Sequence, residues 1–282
     1  DLHALRALPA ALRGAVAALL ILAIAEPRTG LSSVSIESEG IAIAIVLDIS
    51  SSMLAEDFAP SNRIDVARER VVDFIRGRRA DRIGLVAFAG EALTQVPLTI
   101  DYPILFQALQ EVQPGLLEDG TAIGTAIATA ANRLRRVESE SRVMILMTDG
   151  ENNRGEIDPI TAARAAEAFE IRIYTIGVGT EGVARMPIAR GPFGYQYANV
   201  AVHIDEELLT EIAQITGGRY FRATNEAALD SIYRRIDELE TTPIDIRRYV
   251  DYTPHSLPFI LLALCGLMGE WFLRASRWGR LP

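Results

Sequence analysis

The chain has 282 residues, of which 49% are hydrophobic and 23% are charged, and this composition excludes a disordered or collagen-like polymer. At the usual ~100–200 residues per domain, the length allows one or two domains with a core that folds without a disulfide or a metal. The formal net charge of -9 at pH 7 argues against nucleic-acid binding, because phosphate contacts need a basic surface.

Residue types that are missing or rare exclude several kinds of chemistry. All 28 residues counted as Lys or Arg are arginine, which excludes a P-loop lysine, a Schiff-base lysine and a pyridoxal-phosphate anchor. The single cysteine, Cys265, excludes an intrachain disulfide and a cysteine zinc site. The three histidines, His3, His203 and His255, show no metal-ligand spacing.

The two ends of the chain are strongly apolar. Residues 8–25 carry a single charged side chain, that of Arg13, and residues 257–273 carry only Glu270. A helix over either stretch is roughly 25 Å long, close to the thickness of a bilayer's hydrocarbon core. We predict a transmembrane helix at each end. The alternatives are a cleaved signal peptide ending at Ala-Ile-Ala (23–25) for the first and a buried core helix for the second.

Arginines lie at the outer end of both apolar stretches, which predicts that both ends are cytoplasmic and that residues 39–240 lie on the other side of the membrane. Because the chain begins at Asp1 rather than Met, we also expect further residues upstream.

Residues 39–240 alternate between strand and helix patterns, which predicts an α/β domain with a doubly wound, mostly parallel sheet. The apolar run 41–47 is typical of a central strand that is buried on both faces. Residues 185–202 interrupt the alternation with prolines and glycines, and we predict a hairpin there. The predicted strands cover 41–47, 83–88, 92–96, 143–147, 171–178 and 218–222, and the predicted helices cover 64–75, 102–112, 122–134, 159–169, 205–216 and 225–238.

Oxygen-bearing side chains follow these strands or precede these helices. In a doubly wound sheet, ligands bind beyond the carboxyl ends of the strands. Taken singly, each group is typical of a turn or a helix cap, but their combination predicts a site for Mg²⁺, which prefers hard oxygen donors. The candidate ligands are Asp48, Ser50, Ser52, Thr121 and Asp149.

With the pattern D-x-S-x-S…T…D, the chain resembles the von Willebrand factor A (VWA) domain with its metal-ion-dependent adhesion site. The resemblance extends to the bacterial aerotolerance (Bat) branch, BatA-like, through the segments DRIGLVAFAG (81–90), DGTAIG (119–124) and YTIGVG (174–179). The layout of membrane helix, VWA domain and membrane helix is also similar to that branch.

The resemblance implies a role for each candidate. Ser50 and Ser52 would bind the metal directly, Thr121 would bind it when the site is engaged, and Asp48 and Asp149 would bind it directly or through water. The sixth position is left for a carboxylate from a partner protein. Mn²⁺ and Ca²⁺ are alternatives to Mg²⁺.

Other residues are expected around the metal without binding it. Asp119 would orient a ligand hydroxyl or a water, with a solvated loop carboxylate as the alternative. Glu151, Asn152 and Asn153, together with residues 55–62 including Glu56 and Asp57, would form the rim that selects the partner.

The resemblance further implies a non-enzymatic, membrane-anchored protein-binding module in the bacterial inner membrane, with the VWA domain on the periplasmic side. Its implied partners are other Bat or VWA proteins, some with TPR repeats, and a MoxR-type AAA+ ATPase. A cytoplasmic ATPase could then meet only the basic tails or upstream residues, not the metal face.

Two other functions stay open at this point. The metal could be purely structural in a scaffold, or it could activate water in a Mg²⁺-dependent hydrolase. A haloacid-dehalogenase-type phosphatase needs a second carboxylate two residues after the first, but that position is Ser50.

Overall fold

Two units make up the chain in a computed structural model that describes residues 2–33, 40–58, 61–139, 141–180, 182–191, 194–240, 249–254 and 256–275. One unit is Ser38–Pro243, and the other combines the two ends, Asp1–Glu37 and Ile244–Pro282. The elements in chain order are α1 (Leu2–Ile24), β1 (Arg28–Ser33), β2 (Ala42–Asp48), a 3-10 helix (Ser51–Leu54), α2 (Arg63–Arg76), β3 (Arg82–Phe88), β4 (Ala92–Thr99), α3 (Tyr102–Glu111), α4 (Ile123–Leu134), β5 (Arg142–Thr148), α5 (Pro159–Glu167), β6 (Ile171–Val178), β7 (Gly182–Gly191), β8 (Gly194–Val202), α6 (Glu206–Ile215), β9 (Tyr220–Ala223), α7 (Glu226–Leu239), β10 (Tyr249–Pro254) and α8 (Ser256–Ala275).

The Ser38–Pro243 unit is built on a six-stranded sheet in the order β4-β3-β2-β5-β6-β9. Only β4 is antiparallel to its neighbour, and the other neighbouring pairs are parallel. The predicted α/β fold with a mostly parallel sheet is therefore confirmed. In the register of the central strands, Leu47 pairs with Ala87 on one side and with Met147 on the other, so β2, β3 and β5 end at the same level.

Both faces of this sheet are covered by helices, which is why its central strands read as continuous apolar runs. Successive β2 residues face opposite sides: Ile43 and Ile45 pack in the core formed with α2, α3 and α7, whereas Ala44 and Val46 pack in the core formed with α4, α5 and α6. Every residue of β2 is buried. This rigid sheet fixes the positions of the loops at its carboxyl edge.

The two edge strands of the sheet differ from its centre. β4 contains Pro97, which has no backbone N–H to donate, and its pairing with β3 is irregular between Ile83 and Val86. β9 has only four residues. The segment predicted as a hairpin forms one, with β7 antiparallel to β8 outside the main sheet.

The unit formed by the two ends contains α1, α8 and a two-stranded ladder that the sequence analysis did not predict. In this ladder β1 is antiparallel to β10, with Arg28 opposite Pro254 and Ser33 opposite Tyr249. In the helices, Arg13 Nε lies 2.6 Å from Glu270 Oε1.

Helices are present where the two membrane spans were predicted. Within the parts of the chain that the structure describes, however, no helix is both long enough and apolar enough to cross a membrane. The predicted spans at 8–25 and 257–273 are therefore not supported.

Candidate metal centre

The first candidate ligands lie in a tight turn directly after β2. Asp48 ends the strand, and its Oδ1 accepts hydrogen bonds from the Ser50 backbone N–H at 2.8 Å and from Ser50 Oγ at 2.6 Å. A carboxylate that accepts from the backbone two residues later is a common way to close such a turn. Asp48 thus places the Ser50 hydroxyl beside its own carboxylate, at the carboxyl edge of the sheet.

Ser52 connects this turn to the end of β5. Ser52 Oγ lies 2.9 Å from Ser50 Oγ and donates to Asp149 Oδ1 at 2.6 Å. Four of the five candidate ligands therefore form one continuous chain of oxygen contacts. Thr148, which precedes Asp149, donates from Oγ1 to the second oxygen of Asp48 and joins β5 to β2 at the same level.

The number of protons shared by these four side chains bears on whether the site can hold a cation. A serine hydroxyl has a single proton, and ionised Asp48 and Asp149 each accept one from their serine. While both carboxylates are ionised, no proton is left for the 2.9 Å contact between Ser50 Oγ and Ser52 Oγ, so lone pairs of the two oxygens face each other. A cation placed against these oxygens would relieve that repulsion.

The fifth candidate, Thr121, lies against the loop after Asp149. A Cβ at Gly150 would lie 3.1 Å from Thr121 Oγ1, which shows how closely the hydroxyl approaches that loop. Asn153 fixes this position, because its Oδ1 accepts from the Thr121 N–H at 2.9 Å and its N–H donates to the Thr121 carbonyl at 3.1 Å. Thr121 is only 3% exposed, and among the described residues its hydroxyl has no hydrogen-bond partner.

The residues predicted to surround the metal have distinct positions. Asp119 accepts hydrogen bonds from both the N–H (2.9 Å) and the hydroxyl (2.7 Å) of Ser51. It therefore holds the turn of residues 48–52, called the serine turn below, rather than standing free in solvent. Asn152 Oδ1 accepts from the Ile123 N–H at 2.9 Å, at the start of α4. Glu151 is exposed, with Oε1 3.6 Å from His203 Nε2.

Arg63, the first residue of α2, is a part of the site that the sequence analysis missed. Its side chain is fully buried, and Nη1 donates to Asp149 Oδ2 at 2.7 Å. On its other side, Nε donates to Asp57 Oδ1 at 2.8 Å. Asp57 also accepts from the N–H and hydroxyl of Thr180, at 2.9 and 3.0 Å. Asp57, predicted on the rim, is thus bound to Arg63 and Thr180.

The charges of the site are strongly perturbed. Burial, reinforced by the neighbouring charge of Asp149, raises the pKa of Asp48 to about 7. Burial also raises the pKa of Asp149, although Arg63 opposes this effect. Burial acts to raise the pKa of Asp57 as well, but hydrogen bonds from Arg63 and Thr180 hold it below its usual value. A divalent cation beside Asp48 and Asp149 would stabilise their charged forms.

The donor set fits a hard divalent cation. It consists of two carboxylates and three hydroxyls, Asp48, Asp149, Ser50, Ser52 and Thr121, all oxygen donors of the kind that Mg²⁺ binds. Over the described part of the chain, no group of three or more His, Cys, Asp or Glu could hold a metal. A metal at this edge would therefore depend on hydroxyl oxygens for most of its protein ligands.

A doubly wound sheet with an acidic, hydroxyl-rich cluster at its carboxyl edge has the architecture of α/β domains that bind ligands at that edge. Residues 42–235 match the von Willebrand factor type A domain, and the chain belongs to this family.

Relatives of known structure place the chain near aerotolerance proteins. An aerotolerance-related membrane protein from Bacteroides fragilis is 33% identical, with a TM-score of 0.61 over 71% of this chain and 98% of that one. The conserved hypothetical protein BatB from Bacteroides thetaiotaomicron is 33% identical, with a TM-score of 0.62 over 72% of this chain and 100% of that one. The resemblance to the aerotolerance branch is thus confirmed.

One curated relative extends the likeness toward the ends of the chain. An uncharacterized protein from Borreliella burgdorferi is 32% identical over 254 residues, covering 89% of this chain and 74% of that protein.

Proposed function

We propose that the chain is a protein-binding module without catalytic activity, whose binding depends on a divalent cation, with Mg²⁺ as the first candidate and Mn²⁺ or Ca²⁺ as alternatives. The observation that carries this proposal is the 2.9 Å contact between Ser50 Oγ and Ser52 Oγ. When Asp48 and Asp149 are ionised, both serine protons are bound to these carboxylates, and the two hydroxyl oxygens face each other with no proton between them. A bound Mg²⁺ would supply a positive charge with an open position for the Asp or Glu side chain of a partner protein.

The chain's own residues would share the work of holding the ion. Ser50 and Ser52 would offer neutral oxygens, Asp48 and Asp149 would supply negative charge, and Thr121 would supply the hydroxyl that has no other partner among the described residues. The hydroxyls are neutral, and Arg63, which donates to Asp149 Oδ2, offsets part of the charge of one of the two carboxylates, so the ion's charge is only partly compensated. This favours an incoming carboxylate over a neutral group.

The surface beside the site supports a protein as the ligand. The β7–β8 hairpin is tied to the loop after the serine turn, because the Glu56 N–H donates to the Arg185 carbonyl at 2.9 Å. On this hairpin Val183 is 66% exposed and Tyr197 is 40% exposed. Exposed apolar side chains next to a charged site are typical of a protein interface.

The setting that we propose is a complex at the bacterial inner membrane, with the Ser38–Pro243 unit (the VWA unit) on the periplasmic side. The support is that one relative is described as an aerotolerance-related membrane protein. Other Bat or VWA proteins, proteins with TPR repeats and a MoxR-type AAA+ ATPase are the proposed partners. These partners rest on the resemblance alone.

The test is affinity capture from membranes with the full chain, in Mg²⁺ and in EDTA. We expect the unsubstituted chain to retain a partner only in Mg²⁺, and Ser50→Ala/Ser52→Ala to retain none, because two metal ligands are lost. Ser231→Ala is the matched control, since this exposed hydroxyl lies on α7 and donates to the Ala228 carbonyl, away from the candidate ligands. Equal capture in Mg²⁺ and EDTA would contradict the proposal.

Two further variants separate the alternative functions. If Asp149→Ala lowers stability but leaves capture intact, the metal is structural and the chain is a scaffold. If the pure protein releases phosphate or a peptide product, and Asp48→Ala abolishes the release, the chain is a hydrolase.

A further inference from the structure

Arg63 occupies a position that ordinary helix chemistry disfavours. It is the first residue of α2, where the positive end of the helix dipole repels a cation, and its side chain is completely buried. Asn62 caps the helix before it, and Asp65 supplies the acidic residue preferred in the first turn. Asn62 and Asp65 therefore stabilise the start of the helix without Arg63. The contacts of Arg63 indicate a different role.

The contacts of Arg63 lead to the candidate metal centre. Its guanidinium lies between Asp149 and Asp57, bonded to each carboxylate. Gly179 makes room for it: a Cβ at that residue would lie 2.6 Å from Arg63 Cζ, and the backbone there has a φ of +135°. A glycine in the left-handed region and two carboxylates thus form a fitted pocket for one guanidinium.

We propose that Arg63 is a positioning residue that holds Asp149 and limits how strongly the site's own carboxylates bind the cation, which keeps the cation attractive to a partner carboxylate. This inference rests on the proposed function and deepens it.

The effect of Arg63 on the cation depends on how the two oxygens of Asp149 are used. Oδ2 is taken by the Arg63 guanidinium, and Oδ1 accepts from Ser52. Asp149 can thus offer the cation only the oxygen on the serine side, and part of its charge is offset by Arg63. Asp57, in turn, offsets part of the charge of Arg63. Arg63 therefore lowers the affinity of the site for the cation, and Asp57 raises it.

The test measures Mg²⁺ affinity by isothermal titration calorimetry on the full chain after removal of divalent cations. Arg63→Gln removes a positive charge close to the ion, so we expect Mg²⁺ to bind about tenfold more tightly. Asp57→Asn leaves the charge of Arg63 less compensated, so we expect binding to weaken by about the same factor. Arg63→Lys keeps the charge and should bind Mg²⁺ with nearly unchanged affinity.

Arg78→Gln is the matched control, because Arg78 also forms a largely buried ion pair, with Asp81 at 2.9 Å, but lies between the end of α2 and the start of β3. Its loss should lower stability without changing Mg²⁺ affinity. Circular dichroism and thermal unfolding of each variant show whether it is folded.

Shifts of opposite sign for Arg63→Gln and Asp57→Asn support the inference, because a merely structural role would weaken binding in both. Weaker binding in both, or no change in either, overturns it while leaving the proposed function standing. If Arg63→Gln does not fold, Arg63→Met, which keeps the apolar stem without the charge, takes its place: tighter Mg²⁺ binding supports the inference, and weaker or unchanged binding overturns it. Absence of Mg²⁺ binding by the unsubstituted chain overturns both proposals.

Discussion

Asp48 combines two properties that work against each other in a folded protein. It is completely buried, which favours its neutral form, and it accepts three hydrogen bonds, which favour its charged form. Burial dominates, and with the charge of Asp149 it raises the pKa to about 7. A group in this condition makes the stability of the protein depend on pH near neutrality.

The first prediction follows from this raised pKa. Between about pH 4 and 7, Asp48 binds more protons in the folded chain than in the unfolded one, so without divalent cations the free energy of unfolding should fall as pH rises, by up to a few kcal/mol. The raised pKa of Asp149 adds to the same trend, whereas Asp57, with its lowered pKa, acts only at lower pH.

Urea unfolding in EDTA at pH 5 and pH 7 measures this slope. Asp48→Asn should make it shallower, whereas Asp101→Asn, at an exposed position before α3, should leave it unchanged. Stability that rises over this pH range would contradict the prediction.

Asp119 offers a second prediction at the scale of single residues. Replacing it with Ala removes the acceptor of both Ser51 hydrogen bonds, which loosens the serine turn. We expect Mg²⁺ affinity to fall several-fold and the free energy of unfolding to fall by about 1–2 kcal/mol. Calorimetric titration and urea unfolding measure the two effects.

The control for Asp119→Ala is Glu118→Gln, since Glu118 is the exposed neighbour and takes part in the loop through its backbone carbonyl, which accepts from the Gly90 N–H. If both substitutions weaken Mg²⁺ binding equally, general charge and not the hold on Ser51 explains the effect of Asp119.

At the scale of elements, α2 and α7 begin in the same way but have different neighbours. Asn62 accepts from the Asp65 N–H at 2.8 Å, and Asn225 accepts from the Ala228 N–H at the same distance. The cap of α2 is followed at once by Arg63, which contacts Asp149 of the candidate metal centre, whereas the residue after the cap of α7 is Glu226.

A third prediction compares these two caps. Asn62→Ala and Asn225→Ala should each lower the free energy of unfolding by about 1 kcal/mol, since each removes one capping bond. Only Asn62→Ala should also change Mg²⁺ affinity, because it frees the start of α2 that fixes Arg63. Urea unfolding and calorimetry on both variants give the comparison, and equal effects on Mg²⁺ affinity would contradict it.

Most elements of the VWA unit could be predicted because their signals are local. The run 41–47 and the start of α5 at Asp158-Pro159 reflect burial and capping within a few residues. The pairing of β1 with β10 could not be predicted in this way, since the two strands are separated by more than 200 residues and neither sequence contains a continuous apolar run.

The candidate site shows the same division. The ligand motif is visible because each residue follows a strand or precedes a helix. The role of Arg63 is not visible, because an arginine at the start of a helix is usually solvated, and only the fold brings Gly179, 116 positions further on, against its guanidinium. Asp57 was expected on the rim for the same reason: its partners come from two other parts of the chain.

On the scale of the whole molecule, the carboxyl ends and the amino ends of the sheet's strands have different chemistry. The carboxyl edge carries the candidate metal centre, and the opposite edge holds Glu240, at the end of α7. Glu240 accepts from Tyr174 Oη at 2.6 Å and from Ser141 Oγ at 3.0 Å, and it forms an ion pair with Arg172. This network fixes the last described turn of the VWA unit to β6 and to Ser141, just before β5, and none of these described contacts involves a candidate metal ligand.

The lateral borders of the sheet have a consequence for how copies of the protein can meet. Pro97 and the irregular pairing break the outer row of hydrogen-bonding groups on β4, and the four residues of β9 offer too short a template for another strand. Neither β4 nor β9 is therefore a good template for a strand of a second chain. Many copies of the protein can therefore be crowded together with little tendency of their VWA units to grow into fibrils.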